Sequence, residues 1–292
     1  MTARAALRIV RAVRVRQSPD LEMAYWLTGL AAVAMAAVAA GGAFASGWLY
    51  RDNPLIAATF RGQDLVTLEV AVPLLVAGLV LELRGSARGR VLWLAMLFYA
   101  FYSYLFYAVG AAFNAFFLPY VAIVALALYA LLSSVPRLQF DTAVTDTPGR
   151  VARVAGIAYL LLVATGLGLL WTGISASYLF TGVVPAPIVA SGHPTGVVFA
   201  IDLVFIVPPM VIGAVGLIRR RAFGGLVAVA MCLSGTIYTL SLAAASVEVL
   251  RVGVGAGAEF PLWVVLTLFG ALTTFLLLGS RPKGAAEAGP AR

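Results

Sequence analysis

The chain has 292 residues, 62% of them hydrophobic and only 11% charged, with a mean hydropathy of +1.01. Soluble domains carry about a quarter charged residues, so an ordinary water-soluble fold is excluded. The formal net charge of +8 would suit nucleic acid, but its placement along the chain explains it without such a partner.

The first 22 residues are basic. Arg4, Arg8 and Arg11 fall on one helical face, which fits a short helix on an anionic leaflet or an unstructured basic tail. Runs of about 20 apolar residues are needed to cross a hydrocarbon core of about 30 Å. Such runs occur at 23–45, 63–83, 90–110, 115–134, 152–180, 196–218, 223–249 and 260–280. Strand-like alternation is missing, so the expectation is an all-α polytopic membrane bundle of eight transmembrane helices. The first run is too long for a signal-peptide core and no clear cleavage site follows, so the start reads as the mature terminus.

With the N-terminus in the cytoplasm, 17 of the 20 Lys and Arg residues lie inside and only Arg51, Arg61 and Arg251 outside. That is the positive-inside bias. It predicts cytoplasmic termini and a multi-pass protein of the plasma (inner) membrane, with lipids as neighbours and no nucleic acid.

At an offset of 135, VPLLVAGLVLELRGSARGRVLWLAM (72–96) aligns without a gap on VPPMVIGAVGLIRRRAFGGLVAVAM (207–231), with ten identities. FLPYV (117–121) and EFPLWV (259–264) each place a proline just inside a helix start. The pattern predicts a parallel 4+4 internal repeat. Its parts are a basic segment 1–22, a first repeat 23–134, a polar linker 135–150, a second repeat 151–280 and a tail 281–292 rich in Gly, Ala and Pro. FRGQDLVTL and FYAVGAAFNAFFLPYVA resemble segments of an uncharacterised family of multi-pass bacterial membrane proteins, over roughly the first half. The resemblance implies a family label and no activity.

The candidate site is built on acids at one depth. Topology puts Asp64 at the outer interface and Glu69 about 7 Å deeper at 1.5 Å per residue. Asp202, in AIDLV, echoes GQDLV at similar depth, while Glu248, Arg251 and Glu259 border the same level. Arg61 and Arg251 are the available cations. Ionisable groups kept in a membrane at about 2.5–3.5 kcal/mol each usually face the bundle interior, a cavity or a partner. Asp64 and Glu259 lie so near the water that they are expected to snorkel to the outer head groups or to pair with Arg61 and Arg251 for packing alone. Glu69 and Asp202 are expected to share a polar pocket, because Pro73 and Pro208–Pro209 follow them and kink both helices. Tyr99, Tyr102, Ser103 and Tyr107 share a face of the third span and could offer hydroxyls to a ligand; Tyr107 fits an aromatic belt better. Asn114 reads as a helix cap.

Absences narrow the chemistry. One cysteine, Cys232, and one histidine, His193, exclude a disulfide framework, bis-histidine haem and a multi-histidine zinc site; no metal or cofactor is expected. No Walker A sequence, intramembrane lysine or nucleotide fingerprint occurs. Ser191, His193 and Asp202 lack the elbow of a hydrolytic triad. The reading is a protein that transports or binds a small molecule in an outward-facing polar pocket, with protonation coupled to exchange. Two other classes stay open: an intramembrane enzyme acting on a lipid or isoprenoid by acid/base chemistry, and a non-catalytic subunit that anchors a membrane partner or a second copy.

Overall fold

A computed structural model describes residues 21–135 and 148–279. The basic segment, most of the linker and the tail fall outside these described residues. Eight helical segments among them are long and apolar enough to cross a membrane, and the chain is a multi-pass integral membrane protein. The helices are α1 (Glu22–Leu49), α2 (Pro54–Val66), α3 (Val72–Leu83), α4 (Ala87–Gly110), α5 (Phe117–Ser134) and α6 (Arg150–Thr181), then α7 (Ala186–Ser191), α8 (Val197–Phe205), α9 (Val207–Ile218), α10 (Ala222–Val252) and α11 (Phe260–Gly279). Two spans are composite. A π-helical turn, Thr67–Ala71, joins α2 to α3, and a break at Ile206 separates α8 from α9. Each interruption ends one residue short of a proline, Pro73 or Pro208, whose missing N–H removes a rung of the helical ladder.

The second span begins at Pro54, nine residues before the apolar run that predicts it. Asn53 accepts from the Ile56 N–H at 3.0 Å and Pro54 supplies the fixed φ of a first helical turn, the local signals that start a helix. Polarity in FRGQD therefore lies inside the helix, and each of its charges finds a protein partner. The short α7, between the fifth and sixth spans, was not expected from the sequence.

In the first half α1 packs on α2 and α5, and α4 packs on α3 and α5. In the second, α6 packs on α9 and α11, and α10 packs on α9 and α11. The halves meet where α10 crosses α2 and α4, and where α8 touches α4. Close crossings need glycine. A Cβ on Gly62 would lie 2.5 Å from backbone atoms of Ala245, and one on Gly78 2.6 Å from the Trp93 nitrogen.

The turns at the opposite end are built alike. Gly85, at φ 77°, closes α3 with the Ser86 N–H bonded to the Leu81 carbonyl at 2.9 Å, and Arg220, at φ 53°, closes α9 with the Arg221 N–H bonded to the Gly216 carbonyl at 2.9 Å. This is the Schellman arrangement, which favours glycine at the left-handed position. Arginine there carries about 1–2 kcal/mol of steric cost. An Arg220→Gly variant should be more stable by about 1 kcal/mol, read as a higher melting temperature in mild detergent.

Candidate functional site

Two buried aspartates define two different environments. Asp64, on α2, is only 1% exposed and accepts from the hydroxyls of Tyr50 and Tyr107, the latter at 3.1 Å. Gly42 on α1 makes room for it: a Cβ there would lie 1.8 Å from Asp64 Oδ2. Asp64 thus sits in the protein interior, not at the water interface that its depth predicts. Tyr107 is likewise no belt residue; it is buried, stacked on Phe60 at 4.5 Å between ring centroids and turned toward Asp64. Tyr99 exchanges a 2.8 Å hydrogen bond with Thr67 in the π turn. Glu69, in the same turn, is exposed.

Arg61 ties three spans together. It pairs with Glu248 of α10 and donates to the Ala43 carbonyl of α1 at 3.1 Å. Arg251 reaches the same Glu248 oxygen at 2.8 Å. Breaking a buried pair costs about 3–5 kcal/mol when a charge is left alone. Because either arginine still meets Glu248, Arg61→Ala and Arg251→Ala should each cost less than that, and the double variant should lose more stability than their sum, measured by melting in detergent. Asn114 is not the helix cap that its position suggests: Phe116 is the N-cap of α5 and has no side-chain cap bond, while Asn114 holds the preceding turn, accepting from the Phe116 N–H at 2.9 Å and donating to the Ala112 carbonyl at 3.1 Å.

Asp202 lies on α8, 4% exposed, and is held by donors from two other spans: the Tyr102 hydroxyl of α4 on Oδ1 and the Trp171 indole N–H of α6 on Oδ2 at 2.8 Å. The Trp171 ring stacks on Phe199 at 4.2 Å and the Tyr102 ring meets Tyr238 edge-on at 4.8 Å. These contacts lock both donors. No Lys, Arg or His pairs with Asp202 among the described residues.

Asp202 forms part of the wall of a cavity of about 680 Å³ between α2, α4, α6, α8, α9, α10 and α11, with α7 at its loop end, within the roughly 300–1,000 Å³ typical of small-molecule sites. Tyr99, Tyr102 and Trp171 line it too, and Glu259 and His193 lie at its loop end. Asp64, Glu69, Arg61, Glu248 and Arg251 do not. Two differences from expectation follow. Glu69 does not line the cavity that Asp202 walls and is exposed, because sequence depth fixes height along the membrane normal but not the facing of a side chain, and Glu69 stands in the π turn. The cavity is also predominantly apolar: Phe98, Leu167, Val198, Met210 and Met231 are typical of its walls.

Residues missed by sequence reasoning matter here. Trp171 is one, and its signal was a lone indole N–H within an apolar run, a donor that seeks a partner when buried. At the loop end, Asn53 donates to the carbonyls of Ala190 and Ser191, both at 3.0 Å, tying α7 to the first half. Asp52 accepts from the Ala112 N–H at 2.8 Å; burial raises the pKa of its carboxyl, against the lowering effects of that bond and of His193 nearby. The Ser191 hydroxyl donates to the Ile188 carbonyl and His193 Nε2 has no partner, while Asp202 is engaged by Tyr102 and Trp171. No hydrolytic triad is assembled.

Comparison with protein-family models, with curated proteins and with solved structures gives no match. The functional reading therefore stands on the geometry of the cavity and on physical chemistry.

Proposed function

We propose that the protein binds and transports a small organic cation in the cavity walled by Asp202, exchanging it for a proton. One observation carries this reading: a buried carboxylate without a counter-cation, held by two neutral donors, in the wall of a cavity large enough for a small molecule. An ionised carboxylate in a low-dielectric site is costly without compensation. Either a proton or a ligand cation supplies that compensation, and the two exclude one another. Tyr102 and Trp171 fix where the charge sits, Tyr238 and the other aromatic walls offer ring faces to a cation, and the apolar lining favours an apolar body.

The matching architecture of the halves supports a duplicated unit. Gly78 against Trp93 and Gly213 against Ala228 are close crossings at the same offset of 135, as are the turns at Gly85 and Arg220. The Arg and Lys distribution supports cytoplasmic termini, which puts the loop end of the cavity, with His193 and Glu259, on the outside.

Exchange makes a stoichiometric prediction. Adding a hydrophobic amine to the purified protein in weakly buffered solution, under conditions where Asp202 is protonated, should release close to one proton per ligand bound, and Asp202→Asn should release none. Binding without proton release in the parent protein would overturn the exchange reading. Glu69→Gln should behave as the parent, since Glu69 lies outside the cavity.

A further inference from the structure

Cavities that serve water-soluble ligands open to water, so the residues that both line this cavity and face outward indicate where its ligand comes from. Leu162 and Leu170 of α6 and Leu262 of α11 line the cavity and are 53%, 48% and 53% exposed. Gly166, one turn from each of the two α6 leucines, lines it too, and a Cβ placed there would meet nothing within 4 Å. Nearer the termini the two helices do touch. Tyr159 packs on Phe269 at 5.5 Å, and a Cβ on Gly156 would meet Leu277 at 3.3 Å. The slit between α6 and α11 therefore starts above this contact.

Its depth places it in lipid. Arg153 marks the polar end of α6, and Leu162 and Leu170 lie nine and 17 residues beyond it, about 14 and 25 Å along the helix at 1.5 Å per residue. Both fall within a hydrocarbon core of about 30 Å. The cavity is graded along the same axis. Asp202, Gln63, His193 and Glu259 lie toward the loop end, and Tyr159, Met210 and Met231 form its deep end. That gradient is the profile of a lipid leaflet, head group at the loop end and chain toward the midplane.

We infer that the ligand is a membrane-dissolved cationic amphiphile, a long-chain amine in chemical class, which reaches Asp202 sideways through the slit between α6 and α11. This rests on the cation-binding reading of Asp202 and adds the ligand's chain and its route. The ammonium meets Asp202, and the chain lies against the deep apolar wall. An aqueous organic cation would have to enter past His193 and Glu259 and would gain little from that wall. Moving a methylene from water into the leaflet is favourable, so at equal aqueous concentration a dodecyl chain raises the amine's concentration beside the slit by far more than tenfold over a short amine.

The test uses Trp171 as a reporter. In the full-length chain with Trp26, Trp48, Trp93 and Trp263 replaced by phenylalanine, reconstituted with phosphatidylcholine brominated on its acyl chains, Trp171 fluorescence should be quenched. A matched protein retaining only Trp93, which is fully buried in α4, should not be. Dodecylamine should relieve the Trp171 quenching by displacing the chain, with ethylamine at least about tenfold less potent. Absence of quenching at Trp171, or relief by ethylamine as effective as by dodecylamine, would overturn the lateral route. Relief that persists undiminished in Asp202→Asn would leave the route standing and sink the cation-binding reading on which the ligand class rests, so the two failures are distinguishable.

Discussion

An Asp202→Asn variant should bind hydrophobic amines at least about a hundredfold more weakly than the parent, with the folded yield unchanged. Leaving a buried charge without its partner costs about 3–5 kcal/mol, and each 1.4 kcal/mol is a factor of ten in affinity. The substitution is isosteric, and the site can absorb it. The Asn carbonyl can accept from the Trp171 N–H, and the Tyr102 hydroxyl can reverse to accept from the new amide, since a phenol both donates and accepts. Loss of binding would then report the charge and not a collapsed wall.

The pH profile gives a second signature of the same group. Below the range in which Asp202 ionises, a proton occupies the position of the ligand cation. Parental affinity should therefore rise with pH, by at most about tenfold per unit for a single proton, and level off once the carboxylate is formed. Asp202→Asn should show no such slope. Equilibrium titration of a hydrophobic amine, followed by Trp171 emission at several pH values, measures both. An affinity falling with pH, or a slope retained in the variant, would assign the proton to another group.

The second large effect is structural. Gly62→Ala should destabilise the protein by about 1–3 kcal/mol, and Gly62→Val by more, because the added carbon would lie 2.5 Å from the backbone of Ala245 and no rotamer change relieves a clash with main chain. The crossing of α2 and α10 holds the two halves together and carries the Arg61–Glu248 pair, so loosening it should also weaken ligand binding by disturbing α10, part of the cavity wall. Gly29→Ala is the control. Nothing lies within 4 Å of its added carbon, and alanine is the better helix former by up to about 1 kcal/mol. Thermal denaturation in detergent should lower the melting temperature for Gly62→Ala and leave it equal or higher for Gly29→Ala.

Much of the fold was legible because a bilayer imposes a simple rule on sequence. Apolar runs of sufficient length must be helices, since every backbone polar group needs a partner within its own segment. Eight runs correspond to eight spans, with one large boundary difference at Pro54, where Arg61 interrupts the apolar stretch ahead of residue 63. The partners of Arg61 and Asp64 were beyond the reach of the sequence. Tyr50, Tyr107 and Glu248 lie 14, 43 and 187 residues away from the groups they bond, and pairing at such separations is set by helix packing. The same holds for Asp202. Its unusual chemistry could be read from one acid in an apolar helix, but Tyr102 stands 100 residues before it and Trp171 31.

The sequence alone determined the number of crossings, the distribution of basic residues and the presence of costly acids, because hydropathy and charge act locally and are summed along a segment. Only the tertiary structure decided which acid meets a cavity. Glu69 and Asp202 have similar depths, but the facing of each depends on a π turn, a helix break and the neighbours against which each helix packs. One was turned outward and the other toward two aromatic donors. The apolar character of the cavity was decided at the same level, since every span supplies apolar side chains and only packing selects those that remain uncovered.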